Sequence, residues 1–214
     1  MAKPSSILFV TSEVFPFVKV SPIADVSASL PLALKEKGLD VRVMMPKYGH
    51  VSERKNRIHD INRLRDMPVP INGTDIFATI KSSSISNSRS KVQTYITTND
   101  EYFNSHKGVY SDLKTGEEFK NNAERFIYFA RSVVETCVLL EWYPEIIHCN
   151  NWHAALVPAL AKILYPKKFN KTKFILTVHD FSDQGGFAWS NFERMGIDED
   201  KFGENFKHKN KFNF

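Results

Sequence analysis

The chain has 214 residues, of which 42% are hydrophobic and 25% charged, with a net charge of +5 at pH 7. That composition supplies the core of one large α/β domain and excludes a disordered or collagen-like chain. Two cysteines outside any CxxC pair, no apolar stretch of membrane-spanning length, and no signal-peptide pattern behind Met1 argue against a disulfide framework and a membrane anchor, so the expected setting is cytoplasmic.

Ile7 to Thr11 is a short continuous apolar run, which predicts a strand buried on both faces of a parallel sheet. A loop over 12–20 follows. A helix is then expected, with Ser21 as its N-cap, Pro22 as its first residue and Ile23, Val26, Leu30 and Leu34 as its buried stripe. Pro31 should kink this helix and Gly38 should stop it. Val41 to Met45 predicts the next strand, ended by Pro46. This β-α-β start is the signature of a doubly wound, mostly parallel, Rossmann-like sheet.

Residues 47–66 are basic and irregular. Asp75 to Ser83 and Lys91 to Thr97 alternate apolar and polar residues about a serine-rich break at 82–90, predicting a β-hairpin-like insertion over 68–97. A long helix is expected over 117–140, with Phe119, Ala123, Phe126, Ala130, Val134, Cys137 and Val138 on one face. A strand over 145–149, a helix over 152–164 and a strand over 174–179 continue the alternation. Residues 201–214 show no strand pattern and no helix stop.

Ligands of such sheets bind beyond the carboxyl ends of the strands. Three loops leave those ends, at 11–22, 149–153 and 179–187. In the first, Lys19 before a helix start suits an anion, or is a plain solvated lysine beside a Ser-Pro cap. In the second, Asn151, Trp152 and His153 suit a carbohydrate, which pairs hydroxyls with amides and an apolar face with an indole. The competing reading makes His148 and Trp152 core residues with satisfied polar tips. His148, His153 and His179 match no standard metal spacing, and neither a G-x-S-x-G elbow nor a G-x-G-x-x-G fingerprint is present. No metal or cofactor is expected. The basic residues Arg42, Lys47, Arg54, Lys55, Arg57, Arg63 and Arg65 carry no nucleic-acid module signature and read as a solvated face, with anion or nucleic-acid binding as the lesser reading.

The run from Ile7 through Ser12-Glu13-Val14-Phe15-Pro16-Phe17-Val18-Lys19 resembles the opening of bacterial glycogen synthases and plant starch synthases. Ala24-Asp25-Val26, Leu30-Pro31, Gly38, the stretch Val41 to Gly49, Ile147 to His153, and Thr177-Val178-His179 through Gln184-Gly185 continue the likeness over nearly the whole chain. The resemblance implies one half of a two-domain GT-B fold, the N-terminal, acceptor-side domain of a retaining glucosyltransferase. That enzyme class moves glucose from ADP-glucose to the non-reducing end of an α-1,4-glucan without a required metal.

On that resemblance Lys19 would approach the diphosphate, with Ser21 beside it. Asp25 and His179 would line the glucosyl pocket as catalytic residues, and Asn151, Trp152, His153 and Gln184 would contact substrate. Three departures bear on activity. The family's Lys-x-Gly-Gly-Leu is Lys19-Val20-Ser21-Pro22-Ile23 here, and Pro22 has no N–H to donate. Asn151 stands where the family usually has Asp, so a charged acceptor is missing. On the resemblance, the chain is expected to lack the second GT-B domain, and the first is expected to be incomplete at its C-terminus. Two readings follow: a glucosyltransferase domain that needs a further C-terminal domain, or a non-catalytic glucan-binding or regulatory module.

Overall fold

The computed structural model describes residues 5–214. The first strand, β1 (Ser6–Val10), is buried along its whole length, as its unbroken apolar run requires. Helix α1 (Ile23–Glu36) leads to β2 (Asp40–Pro46), packs against it, and so covers the sheet where β2 lies parallel to β1. The helix ends where expected. Gly38, at φ +86°, lets its N–H reach the Lys35 carbonyl while the Leu39 N–H reaches that of Leu34, the paired bonds of a Schellman stop.

Its start differs from expectation. Pro22 occupies the N-cap position without a side-chain cap, because the Ser21 hydroxyl is committed to Glu13. The helix passes through Pro31 without a break, and its inward face is Ile23, Ala24, Ser27, Pro31 and Leu32. The expected Val26, Leu30 and Leu34 are only half-buried.

After β3 (His59–Asp60), β4 (Met67–Ile71), β5 (Thr74–Ser86) and β6 (Lys91–Thr98) form antiparallel pairs about β5. The serines at 82–86 belong to β5 and do not break it; the turn is confined to Asn87–Ser90. The hairpin's second strand also differs from an insertion, since β6 pairs parallel with β2 and extends the central sheet.

Helix α2 (Asn122–Leu139) starts five residues later than the apolar spacing suggests, because Glu118 bridges to Ser111 instead. Fourteen of its residues are buried, so it is wrapped all round and not striped. Then come β7 (Ile146–Asn150), α3 (Trp152–Leu164) and β8 (Lys173–Thr177). Beyond β8 come β9 (Gly186–Phe187) and the short helix α4 (Glu199–Phe202), and residues 201–214, whose sequence shows no strand pattern, form β10 (Lys207–His208) and β11 (Lys211–Asn213). Phe192, Phe206 and Phe212 are buried together there, so scattered aromatics supply a small satellite core that no periodicity announces.

The main sheet runs β3-β5-β6-β2-β1-β7-β8, with every pairing from β6 to β8 parallel. The chain leaves β1 towards β2 on one side and β7 lies on the other. The strand order therefore reverses between β1 and β7, which opens a crevice at their carboxyl ends. Cys137 and Cys149 are free and buried in the core, and burial pushes the Cys137 thiol up to about 12. Among the described residues no helix is long and apolar enough to cross a membrane.

Candidate functional site

The crevice between β1 and β7 holds a hollow of 540 Å³. Its walls come from all three loops: Ser21 and Pro22 after β1, Asn151, Trp152 and His153 after β7, and His179, Asp180 and Asp183 after β8, with Tyr110 below. The first turns of α1 and α3 both border it. Two helix N-termini give the hollow a positive partial charge suited to an anion or an oxygen-rich ligand.

Glu13 shapes the first wall. Its buried carboxylate accepts the N–H groups of Val20 at 2.6 Å and Ser21 at 2.9 Å, and the hydroxyls of Ser21 at 3.0 Å and Tyr110 at 2.7 Å. Such donors replace the water that a buried carboxylate loses. Two of these N–H groups are therefore turned inward to Glu13 and away from any ligand. Lys19 and Asp25 pair with each other at 2.6 Å, both about half exposed. Neither lines the hollow. Asp25 instead borders a groove of 830 Å³ between α1 and the β5–β6 turn. The expected convergence of Lys19, Asp25, Asn151 and His179 thus holds for Asn151 and His179, while the ion pair keeps the other two to the side.

The second and third loops are stitched together by amides. The Nδ2 of Asn150 donates to the Val10 carbonyl at 3.1 Å, which turns its Oδ1 towards His179 Nε2 at 3.0 Å. A carbonyl oxygen can only accept, so His179 carries its proton on Nε2 and leaves Nδ1 free as an acceptor in the neutral ring. Asn151 Oδ1 accepts the His179 backbone N–H at 2.7 Å, and the Asn151 N–H donates to the Thr177 carbonyl at 2.9 Å. Asn151 holds φ +56° with ψ 179°, outside the left-handed helical region and in a strained conformation otherwise left almost entirely to glycine, of the kind that concentrates at functional sites.

Trp152 and His153 form the floor. The Trp152 indole N–H donates to Asp183 Oδ2 at 2.7 Å, and its ring meets Phe126, Phe187 and Phe214 edge-on. Gly185, at φ +66°, lies against that ring; an added Cβ would come within 2.9 Å of it, so only glycine fits. His153 stacks on Tyr110 at 4.5 Å and is buried, with neither ring nitrogen hydrogen-bonded. Burial, reinforced by the Arg125 guanidinium, drives its pKa well below the ordinary value, so the ring is neutral. Arg125 is itself buried, pulled down to about 10, and donates to the Tyr102 and Val109 carbonyls and to Asn122.

One expected contact, Gln184, is elsewhere. Gln184 faces a shallow depression beside Ala155 and Phe214, and its amide donates to the Phe181 carbonyl. His148 packs edge-on against Phe9 and bonds Thr177 at 2.8 Å, a core histidine with a satisfied tip. No cluster of three or more metal-ligating side chains occurs among the described residues. Glu13, Tyr110 and Asp183 belong to the site and escaped the sequence reading. Glu13 and Asp183 stood in loops already singled out, whereas nothing in the sequence marks Tyr110.

A family model described as the starch synthase catalytic domain matches residues 6–214. A glycogen synthase of Chlorobaculum parvum is 44% identical over 190 residues, covering 88% of this chain and 38% of that protein. A glycogen synthase of Chlorobaculum tepidum matches to the same extent. The chain thus spans well under half the length of these relatives. The catalytic domain of Starch Synthase IV from Arabidopsis thaliana, solved bound to ADP and acarbose, superposes with a TM-score of 0.81 at 22% identity, over 99% of this chain and 42% of that one.

Proposed function

Because the chain belongs to the starch synthase catalytic-domain family, we infer that it is the acceptor-side part of a retaining glucosyltransferase. The reaction is transfer of glucose from ADP-glucose to the non-reducing end of an α-1,4-glucan, once a second Rossmann-like domain closes the crevice. The hollow at the β1–β7 switch point carries this reading: it joins an indole floor, amide and imidazole walls and two helix N-termini in a volume suited to sugars. One half-cleft cannot exclude water from the reacting centre, so the second domain is required for transfer.

In this reading His179 holds the transferred sugar and Asp25 lines its pocket. Lys19 reaches the diphosphate after leaving Asp25. Ser21, Asn151, Trp152 and His153 contact substrate, and Gln184 joins them only if the 179–187 loop turns inward. No metal or cofactor takes part. The chain works in the cytoplasm, where its two thiols stay reduced.

The experiment is reconstitution. The chain is mixed with a separately produced C-terminal domain of a related glycogen synthase, and incorporation of labelled glucose from ADP-glucose into a maltooligosaccharide is measured. Incorporation by the mixture, with none from either part alone, is the expected result; none from a mixture shown to associate counts against it.

Pro22 and Asn151 favour a second reading, a non-catalytic glucan-binding or regulatory module. It predicts calorimetric binding of maltooligosaccharides and none of ADP-glucose.

A further inference from the structure

A second concave surface lies towards the opposite end of the sheet from the crevice, where β6 begins. Its residues are sorted by strand register. His59 pairs with Ser82, and Gln93 pairs with Ser84. Side chains alternate along a strand, so His59, Ser82, Ser84, Gln93 and Lys91 share one face. The Gln93 amide donating to Ser82 Oγ at 3.1 Å confirms it. Asp60 pairs with Lys81 and points to the other face, where Glu53, Asp60, Lys81 and Arg65 form a closed ion-pair cluster. The alternation therefore separates the carboxylates from the first face.

Arg57 joins that face from the preceding turn, with φ +50°, an uncommon backbone conformation for a long side chain. The result is a hollow of 540 Å³ whose lining carries the cations Arg57 and Lys91 beside the His59 imidazole, with no carboxylate. Among the described residues none of these three has an ion-pair partner. Arg57 and Lys91, left unpaired in a concavity, concentrate anions.

The rest of the lining narrows the ligand. Serine hydroxyls and the Gln93 amide answer hydroxyl groups. No Phe, Tyr or Trp lines the hollow, so it lacks the large aromatic platform on which nucleobases stack best, and only the His59 ring and the Arg57 guanidinium are planar there. We propose that this hollow is a binding site for a phosphate monoester of a small polyhydroxyl compound, with Arg57 and Lys91 on the phosphate and Ser82, Ser84 and Gln93 on the hydroxyls. It is separate from the crevice, with which it shares no lining residue.

Titration calorimetry of the full chain tests it, with glucose 6-phosphate as probe and glucose and inorganic phosphate as controls. The expected result is one saturable site, with glucose 6-phosphate binding at least about tenfold more tightly than phosphate and glucose giving no heat. Arg57→Gln combined with Lys91→Gln should weaken the probe at least about tenfold at an unchanged urea midpoint, because both side chains are exposed. Lys19→Gln, to the side of the crevice, should leave the affinity as it is. Three results overturn the proposal: equal affinity for phosphate and the sugar phosphate, indifference to the double substitution, or displacement of the probe by a short duplex oligonucleotide. Should the double variant fold poorly, Lys91→Glu alone must still lower affinity at least about tenfold.

Discussion

The Glu13 carboxylate takes both the backbone N–H and the hydroxyl of Ser21, at 2.9 and 3.0 Å. With Val20 and Tyr110 it gathers four donors from two segments about a hundred residues apart, and so fixes the loop between β1 and α1. In Glu13→Gln one oxygen becomes an NH2 group facing donors. Chemical denaturation should show a loss of about 2–4 kcal/mol. The same variant should be cut faster by protease at 15–22. Unchanged stability would mean that the loop is held by other contacts.

The Lys19–Asp25 pair is half exposed, so it contributes little to the fold. Lys19→Gln should change stability by no more than about 0.5 kcal/mol. In the reconstituted mixture the same variant should lower affinity for ADP-glucose about tenfold or more, because a charge-assisted contact to the diphosphate is lost. Loss of stability without loss of affinity would assign Lys19 to structure alone.

Asn151 already accepts the His179 N–H through Oδ1, and a carboxylate would accept it in the same geometry with greater strength. Asn151→Asp should therefore keep the fold and raise glucosyl transfer by the reconstituted mixture, by about tenfold. A lowered rate would show that the amide is suited to this crevice and the charge is not.

His153 gives the fold a pH dependence whose sign is fixed. Its pKa lies well below the ordinary 6.5 because burial disfavours the charged ring. The unfolded chain then binds the extra proton, so this contribution is complete above 6.5 and is lost as pH falls below it. Between these limits one such group costs up to about 1.4 kcal/mol per pH unit. His148 is lowered too, by burial and then by His179, and adds in the same direction. The midpoint of thermal unfolding should fall as pH drops from 7 to about 5, and His153→Phe should flatten that slope. A slope unchanged in His153→Phe would place the titrating group elsewhere.

The parallel sheet was legible because its strands are short apolar runs: β1, β2 and β7 announce themselves in that way, and so does β8, although it is the exposed edge strand. Helix α3 was legible because it starts at Trp152, directly after a strand ends. The strand over Ser82–Ser86 was not legible: its serines look like a turn, and only pairing with β6 makes them a strand. The satellite core of Phe192, Phe206 and Phe212 was hidden because it is built by short-range turns with no period to read. In the site, the loops were legible from strand ends and residue chemistry. The Lys19–Asp25 pairing and the arrival of Tyr110 were not, because each depends on tertiary placement of side chains whose sequence neighbours give no sign of it.

The chain has three tryptophans, and the indole N–H of one, Trp152, sits in the floor of the hollow, donating to Asp183. Trp142 stacks under Arg42, and Trp189 bonds Glu199; neither lines the hollow, so both serve as internal controls. Adding maltotetraose to 15N-labelled protein should shift the Trp152 indole resonance saturably and leave the other two in place. A Trp152 signal that stays fixed at saturating sugar, or equal movement of all three, would contradict the claim that this hollow at the β1–β7 switch point receives the glucan.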